Sequence, residues 1–426
     1  MKVLVIGSGG REHALVWALN KSDQVTKLWC APGNAGIAEL AECVPLQVNA
    51  FEALADFACE QQIDLVVIGP DDPLAEGIVD VLEARGLRVF GPNKAAAEIE
   101  GSKVFMKELL KKHRIPTAAY ETFDTPEAAL SYIQQQPLPI VIKADGLAAG
   151  KGVTIASTYE EAEAALKDTM IDRKFGASGN RVVVEEFMQG QEMSILAFVD
   201  GETVRPCLPA QDHKPIYEGD KGPNTGGMGT YSPVPHISTA IVEEAVKTII
   251  EPTAKAMVDE GRPFKGLLFA GLMITPEGKP RVVEFNARFG DPETQVVLPL
   301  LNTDLLDVFN AVVDGTLDQI ELDWSQDAAV CVIVASGGYP GSYRKGDVIH
   351  GLDTVAESTE TLVFHAGTAR NEQGQFVTNG GRVLGIVGRG ADVRAAQQAA
   401  YETVKHISFA DMYYRRDIAD KALVQV

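Results

Sequence analysis

Residues 281–288 read Arg281-Val282-Val283-Glu284-Phe285-Asn286-Ala287-Arg288, and Phe289-Gly290-Asp291-Pro292-Glu293-Thr294 follows without a break. The first half has the β-branched and aromatic content of a strand. Side chains alternate along a strand, so Glu284, Asn286 and Arg288 fall on one face. A carboxylate and an amide oxygen two residues apart are hard donors, suited to magnesium or manganese. Arg288 beside them suits an anionic intermediate. One acid and one arginine on a strand are commonly just solvated, but three functional groups on one face point to a site.

Upstream lies Val141-Ile142-Lys143-Ala144-Asp145-Gly146-Leu147-Ala148-Ala149-Gly150-Lys151-Gly152-Val153. Gly150-Lys151 resembles a Walker A loop, yet the glycine spacing is one residue short and Gly152 stands where that motif has Ser or Thr. The residues after it, Val153-Thr154-Ile155, suit a strand and not a helix. The reading is a strand, a glycine loop and a second strand: a flap whose amides and Lys151 close over phosphates, with Lys143 projecting from the first strand. A helix over 102–112, capped by Ser102, carries Lys103, Lys107, Lys111 and Lys112 against Glu108 alone. Downstream of the flap, residues 181–187 form a strand that runs into Met188-Gln189-Gly190-Gln191-Glu192. Behind a phosphate flap this suits a nucleotide base and ribose, with the strand-end backbone on the adenine edge and Glu192 on the ribose hydroxyls.

Residues 1–100 alternate apolar strands (2–6, 27–30, 63–68, 88–90) with helices (11–20, 51–61, 74–85). Apolar strands without alternation mean a parallel sheet covered on both faces. Gly7-Ser8-Gly9-Gly10-Arg11-Glu12 invites a dinucleotide site, but Glu12 occupies the third glycine position and no acid ends the second strand. A hydride-transfer enzyme is therefore the poorer reading, and the helix N-terminus with Gly10 and Arg11 is expected to hold a phosphate. Beyond the flap, residues 240–260 read as one long helix and 276–279 as a hairpin turn. An acidic stretch at 318–327 marks a boundary.

These motifs together resemble the ATP-grasp superfamily and, almost end to end, its glycinamide ribonucleotide synthetase family. The resemblance rests on residues 7–14, 143–153, 284–294 and 337–341, and on Asn224-Thr225-Gly226-Gly227-Met228-Gly229. It implies an α/β and α+β multidomain ATP-grasp fold. The N-terminal doubly wound parallel-sheet domain would span 1–101 and the ATP-grasp domain 102–325, with a lid at about 118–190. A C-terminal α+β domain would span 326–426. It also implies a reaction: ATP activates glycine as glycyl phosphate, and the amine of 5-phosphoribosylamine displaces phosphate, in purine synthesis. Arg288, Lys143 and Lys151 would be the catalytic groups, and Glu284 and Asn286 the metal ligands. Lys103, Lys143, Gly146, Gly150 and Gly152 would meet the ATP phosphates. Glu185, Glu186 and Met188 would meet adenine, and Glu192 the ribose. Gly9, Gly10, Arg11, Asp212, His213, Lys214, Thr225, Gly226, Gly227 and Asp291 would lie near the other two substrates, with His213 or Asp212 assisting the amine. Where many superfamily members carry a further acid, Ala270-Gly271-Leu272-Met273 has none. Ala35 and Asp71-Asp72 also depart from the family pattern. The rivals are another ATP-grasp carboxylate–amine ligase and, less favoured, a nicotinamide oxidoreductase.

Composition agrees with a small-molecule enzyme. The chain has 426 residues and a formal net charge of −21. That acidity disfavours nucleic acid as a partner, since such binding neutralises phosphates with Lys and Arg. Five scattered cysteines without a C-x-x-C disfavour a disulfide framework or structural zinc. No apolar run approaches a membrane span. The expectation is a cytoplasmic monomer.

Overall fold

The computed structural model describes residues 1–148, 152–355 and 360–424. The expected phosphate contacts Gly150 and Lys151 lie outside the described residues.

Five parallel strands form the N-terminal sheet, in the order Glu42–Cys43, Lys27–Pro32, Lys2–Gly7, Leu65–Ile68, Val89–Phe90. Lys2–Gly7 is central, and the chain builds outward first on one side and then on the other. The crevice at that reversal, at the carboxyl ends of the strands, is where such sheets bind ligands. The helix expected over 74–85 is two, Asp71–Glu76 and Ile78–Ala84. They break at Gly77, whose φ of +98° is left-handed and accessible mainly to glycine.

The flap belongs to a four-stranded antiparallel sheet ordered Tyr120–Phe123, Val182–Glu186, Ile140–Ala144, Val153–Ala156. Its apolar face packs with Ala129, Ile133, Ala162 and Leu166 into a small core of its own. Ser102 caps the helix Lys103–Lys112, as expected. Asp145, at the base of the flap, accepts hydrogen bonds from Ser102 Oγ, Val104 N and Arg181, which fastens the flap to that helix.

A second antiparallel sheet runs Thr203–Pro206, Gln191–Asp200, Lys265–Ile274, Pro280–Asn286. Its register shifts at Gly271/Leu272, which pair with Glu284 and Val282, so Val283 is the extra residue of a bulge. The long helix expected over 240–260 is interrupted. Thr239–Ala245 and Glu251–Asp259 flank a π turn at Val246–Ile250. Pro252 explains the interruption, because it lacks the N–H that a continuous α-helix would need there.

The third sheet is ordered Gln211–Asp212, Gly229–Ser232, Ala328–Ala335, Arg382–Gly390, Thr361–His365. Two of its strands come from far upstream of the acidic stretch at 318–327. This interleaving brings residues 212–229 beside the C-terminal strands. Among the described residues no helix is long and apolar enough to cross a membrane.

Candidate active site

A cleft of about 500 Å³ opens among the three sheets and the flap. Glu284 and Asn286 line it from one face of the strand, and Arg288, expected on the same face, lines it from the bend just past the strand's end at Asn286. Burial alone would raise the Glu284 carboxyl, but Lys214, Lys143, Lys103 and Arg288 outweigh it and hold the group below the usual range. Asn286 Oδ1 accepts from Arg288 Nη2 at 3.0 Å, and the same nitrogen pairs with Glu100 Oε1 at 3.1 Å. Arg288 is thereby held between two acceptors, with its Nε buried and unpartnered.

The lysines come next. Lys143 Nζ donates to Val283 O at 3.1 Å, the residue that the bulge displaces, and pairs with Glu185 Oε2 at 3.1 Å. Lys107 Nζ lies 3.2 Å from Glu185 Oε1 and donates to Thr117 Oγ1 at 2.7 Å. Burial, opposed by Glu185, pulls the Lys107 ammonium down to about 8. Lys103 Nζ donates to Gly146 O at 3.1 Å, and burial lowers its pKa as well. The Glu185 side chain thus organises two lysines of the site. Beside it Val141, Leu147, Ile155, Phe187 and Met188 give an apolar wall fit for a purine ring. Glu186 lines the cleft, but its Oε1 is engaged by Ala119 N and Arg281. Glu192 stands at the rim, with Oε2 3.7 Å from Lys214 Nζ.

At the N-terminal loop the cradle is already filled by the protein's own acids. Glu12 Oε2 accepts from Gly9 N at 2.6 Å and Glu12 Oε1 from Arg11 Nε at 2.6 Å, while Arg11 N points at Asp291 Oδ2 at 3.4 Å. A Cβ on Gly7 or Gly69 would fall within 2.4 Å or 2.1 Å of the Glu12 side chain. The space that a dinucleotide pyrophosphate would use therefore holds a carboxylate, which is the physical reason the fingerprint fails. Arg11 itself lines the cleft; Gly9 and Gly10 do not.

Of the expected substrate residues, Asp212, Lys214, Thr225, Gly226 and Asp291 line the cleft. Gly227 supports them from behind, with φ +113° and a Cβ position only 2.5 Å from Pro292 Cδ. His213 does not join the site. It is buried, its Nδ1 meets Gly229 O at 2.9 Å, and its Nε2 accepts from Ala419 N at 3.3 Å. Burial lowers its pKa to about 4, so it is a neutral bracket in the core and offers no base to the cleft. The strand alternation that exposes Asp212 and Lys214 turns His213 inward.

Two cleft residues had no motif-level signal. Glu100 and Arg382 are brought in by tertiary folding, and Glu293, which lies within the run at 284–294, joins them. Arg382 Nη1 reaches Gly226 O at 2.8 Å and Asp291 O at 2.9 Å, and lies 3.3 Å from Asp291 Oδ1. Its only hint is its place directly after Gly380-Gly381.

With this geometry in place, comparison with known families is decisive. Residues 1–100 match the phosphoribosylglycinamide synthetase N domain, 101–294 its ATP-grasp (A) domain and 329–421 its C domain. The chain belongs to the phosphoribosylglycinamide synthetase family. A phosphoribosylamine–glycine ligase of Halalkalibacterium halodurans is 51% identical over 425 residues, covering 100% of this chain and 98% of the relative. A crystal structure of the Thermotoga maritima phosphoribosylamine–glycine ligase matches with TM-score 0.85 and 35% identity, over 98% of this chain and 100% of that one. A biotin carboxylase domain of Hydrogenobacter thermophilus, solved with MgADP, shares the fold at TM-score 0.75 and 15% identity, over 97% of this chain and 91% of that one.

The donor set fits the metal that this family's ATP-grasp fold implies. Glu284, held ionised, and Asn286 supply two hard oxygens, and among the described residues no group of three or more His, Cys, Asp or Glu forms a closed cage. Two protein oxygens, with the rest from water and substrate phosphates, is the manner in which Mg²⁺ is commonly held.

Proposed function

We infer that this chain is an ATP-dependent ligase that joins glycine to 5-phosphoribosylamine in purine biosynthesis. The γ-phosphoryl group passes to the glycine carboxylate, releasing ADP. The amine then attacks the glycyl carbonyl, phosphate leaves, and glycinamide ribonucleotide remains. One observation carries this reading: a single cleft surrounds the Glu284–Asn286 pair with Lys103, Lys143 and Arg288, and no serine, cysteine or histidine among the described residues lines it. A carboxylate is a poor electrophile, so it needs a leaving group and charge neutralisation more than a protein nucleophile.

In this reading Lys103 and Lys143 hold the ATP phosphates, with Glu185 fixing Lys143. The flap residues Gly146, Gly150, Lys151 and Gly152 close over them. Met188 and the backbone from Glu185 take adenine, and Glu192 takes the ribose. Glu284 and Asn286 hold Mg²⁺ or Mn²⁺, which when bound neutralises charge on the phosphoryl oxygens. Arg288 stabilises the acyl phosphate. Arg11, Asp212, Lys214, Thr225, Gly226 and Asp291 form the chamber for glycine and phosphoribosylamine. The proposed domains are 1–101, 102–325 with the lid at about 118–190, and 326–426, acting as a cytoplasmic monomer. The family segments support those bounds, although two strands of the C-terminal sheet lie within the middle one.

Glycine labelled with ¹⁸O in both carboxylate oxygens tests the chemistry. One ¹⁸O should appear in the released phosphate, because the carboxylate oxygen that took the phosphoryl group leaves with it. Unlabelled phosphate would rule out glycyl phosphate.

A further inference from the structure

Two acids in the cleft are left without a cation of their own. Glu293 is 4% exposed and lines the cleft, and among the described residues only its own backbone N–H donates to it. Its Oε2 lies so close to Gly290 that a Cβ there would come within 2.4 Å. Asp212 faces the same chamber and accepts one hydrogen bond, from His213 N at 2.7 Å. Gly227 presses its bare backbone against both neighbours of this chamber: a Cβ would sit 2.8 Å from Asp212 Oδ1 and 2.5 Å from Pro292 Cδ.

Lys214, Arg382 and Arg288 act on the two acids only from a distance, and each has closer partners. Lys214 Nζ lies between Glu192 at 3.7 Å and Glu284 at 3.8 Å. Arg382 is held by the Asp291 carboxylate and by the backbone carbonyls of Gly226, Gly227 and Asp291. Burial first, and Glu293 second, push the Asp212 carboxyl well up; burial raises Glu293 too. A buried carboxylate beside a second, half-buried one is costly unless a positive group completes the pair. Among the described residues no cation pairs directly with either acid, so a positive group on the ligand would complete the pair.

We propose that Asp212 and Glu293 together hold the α-ammonium of glycine and so select an amino acid over other small carboxylates. This rests on the ligase reading. It also has a chemical rationale. Glycine carries its own amine, which is a competing nucleophile toward glycyl phosphate. Held as an ammonium between two carboxylates it has no lone pair to attack with, while the phosphoribosylamine nitrogen remains free.

Asp212→Asn and Glu293→Gln test this, with steady-state kinetics for each substrate and with glycolate, which has a hydroxyl in place of the ammonium. Each variant should raise the glycine KM roughly tenfold to a hundredfold, as expected for one lost charge-assisted contact, and leave the ATP KM within about twofold. The preference for glycine over glycolate should shrink by a similar factor, an effect that general misfolding would not produce. Glycine should raise the thermal midpoint of the wild type and not of the variants. An unchanged glycine KM would overturn the proposal, as would equal losses for glycine, glycolate and ATP. So would a loss of Mg²⁺ binding, measured with the metal alone, because that would assign the pair to a cation site. If the wild type itself released phosphate without need of glycine, the ligase reading would fail first.

Discussion

Glu100→Gln should make the ligand-free protein more stable and the enzyme slower. The Glu100 carboxylate is buried; Oε2 accepts from Ala287 N at 2.7 Å and Oε1 pairs with Arg288 Nη2 at 3.1 Å. Burial, opposed by Arg288 and reinforced by Asp71, pushes its pKa from 4.5 up to about 7. Between those values the native state holds a proton that the unfolded chain has lost. Stability from this group is therefore full below the lower value and falls as pH rises through the upper one. At about 1.36 kcal/mol per unit, the cost is roughly 1.4 kcal/mol near pH 5.5 and roughly 3 kcal/mol near pH 8. Glutamine keeps an acceptor for Ala287 and carries no charge, so it removes the cost. Thermal unfolding of both chains in chelator, without nucleotide, would show it. The advantage of the variant should widen by roughly 2 kcal/mol between the two pH values, about 4–8 °C for a cooperative unit of 150–250 residues. In the same variant Arg288 loses its anionic anchor, and kcat should fall roughly tenfold or more. A midpoint difference that does not change with pH would refute the buried-charge argument, and undiminished kcat would refute the anchoring role.

Other outcomes follow from the same geometry. Glu284→Gln should lower kcat by about a hundredfold or more while circular dichroism and the thermal midpoint stay near wild type; retained turnover would remove Glu284 from the metal site. Lys143→Met should raise the ATP KM roughly tenfold to a hundredfold, read by nucleotide titration, since one charged phosphate contact is lost. His213→Leu strands Ala419 N, while Gly229 O keeps the backbone N–H of residue 213, and should cost about 1–3 kcal/mol in denaturant unfolding. The pH dependence of its kcat should keep the wild-type shape, and a lost limb would make His213 a proton carrier after all. Arg382→Ala frees the Gly226 and Asp291 carbonyls and should raise the phosphoribosylamine KM by roughly tenfold with little change for ATP.

The parts of this site that could be read from the sequence are those with one local cause. Strand alternation aligns Glu284 and Asn286, and the glycine spacing, Gly152 and the β-rich run after it separate the flap from a Walker loop. The parallel N-terminal sheet follows likewise from apolar runs bounded by turns. What could not be read depends on contacts between distant residues. Asp291 meets Arg11 across 280 positions, and Arg382 meets Gly226 across 156. Glu100 looks like an ordinary solvated acid until the fold buries it. Local cues also misled where geometry intervened: Pro252 breaks an otherwise continuous amphipathic pattern, and strand parity turns His213 away from the chamber that its neighbours line.

The most direct test mixes purified protein, ATP, Mg²⁺, glycine and 5-phosphoribosylamine, and follows phosphate release as each component is withheld. Release should require glycine and the amine together and should match the glycinamide ribonucleotide formed. Phosphate released at the same rate without either one would contradict the assignment.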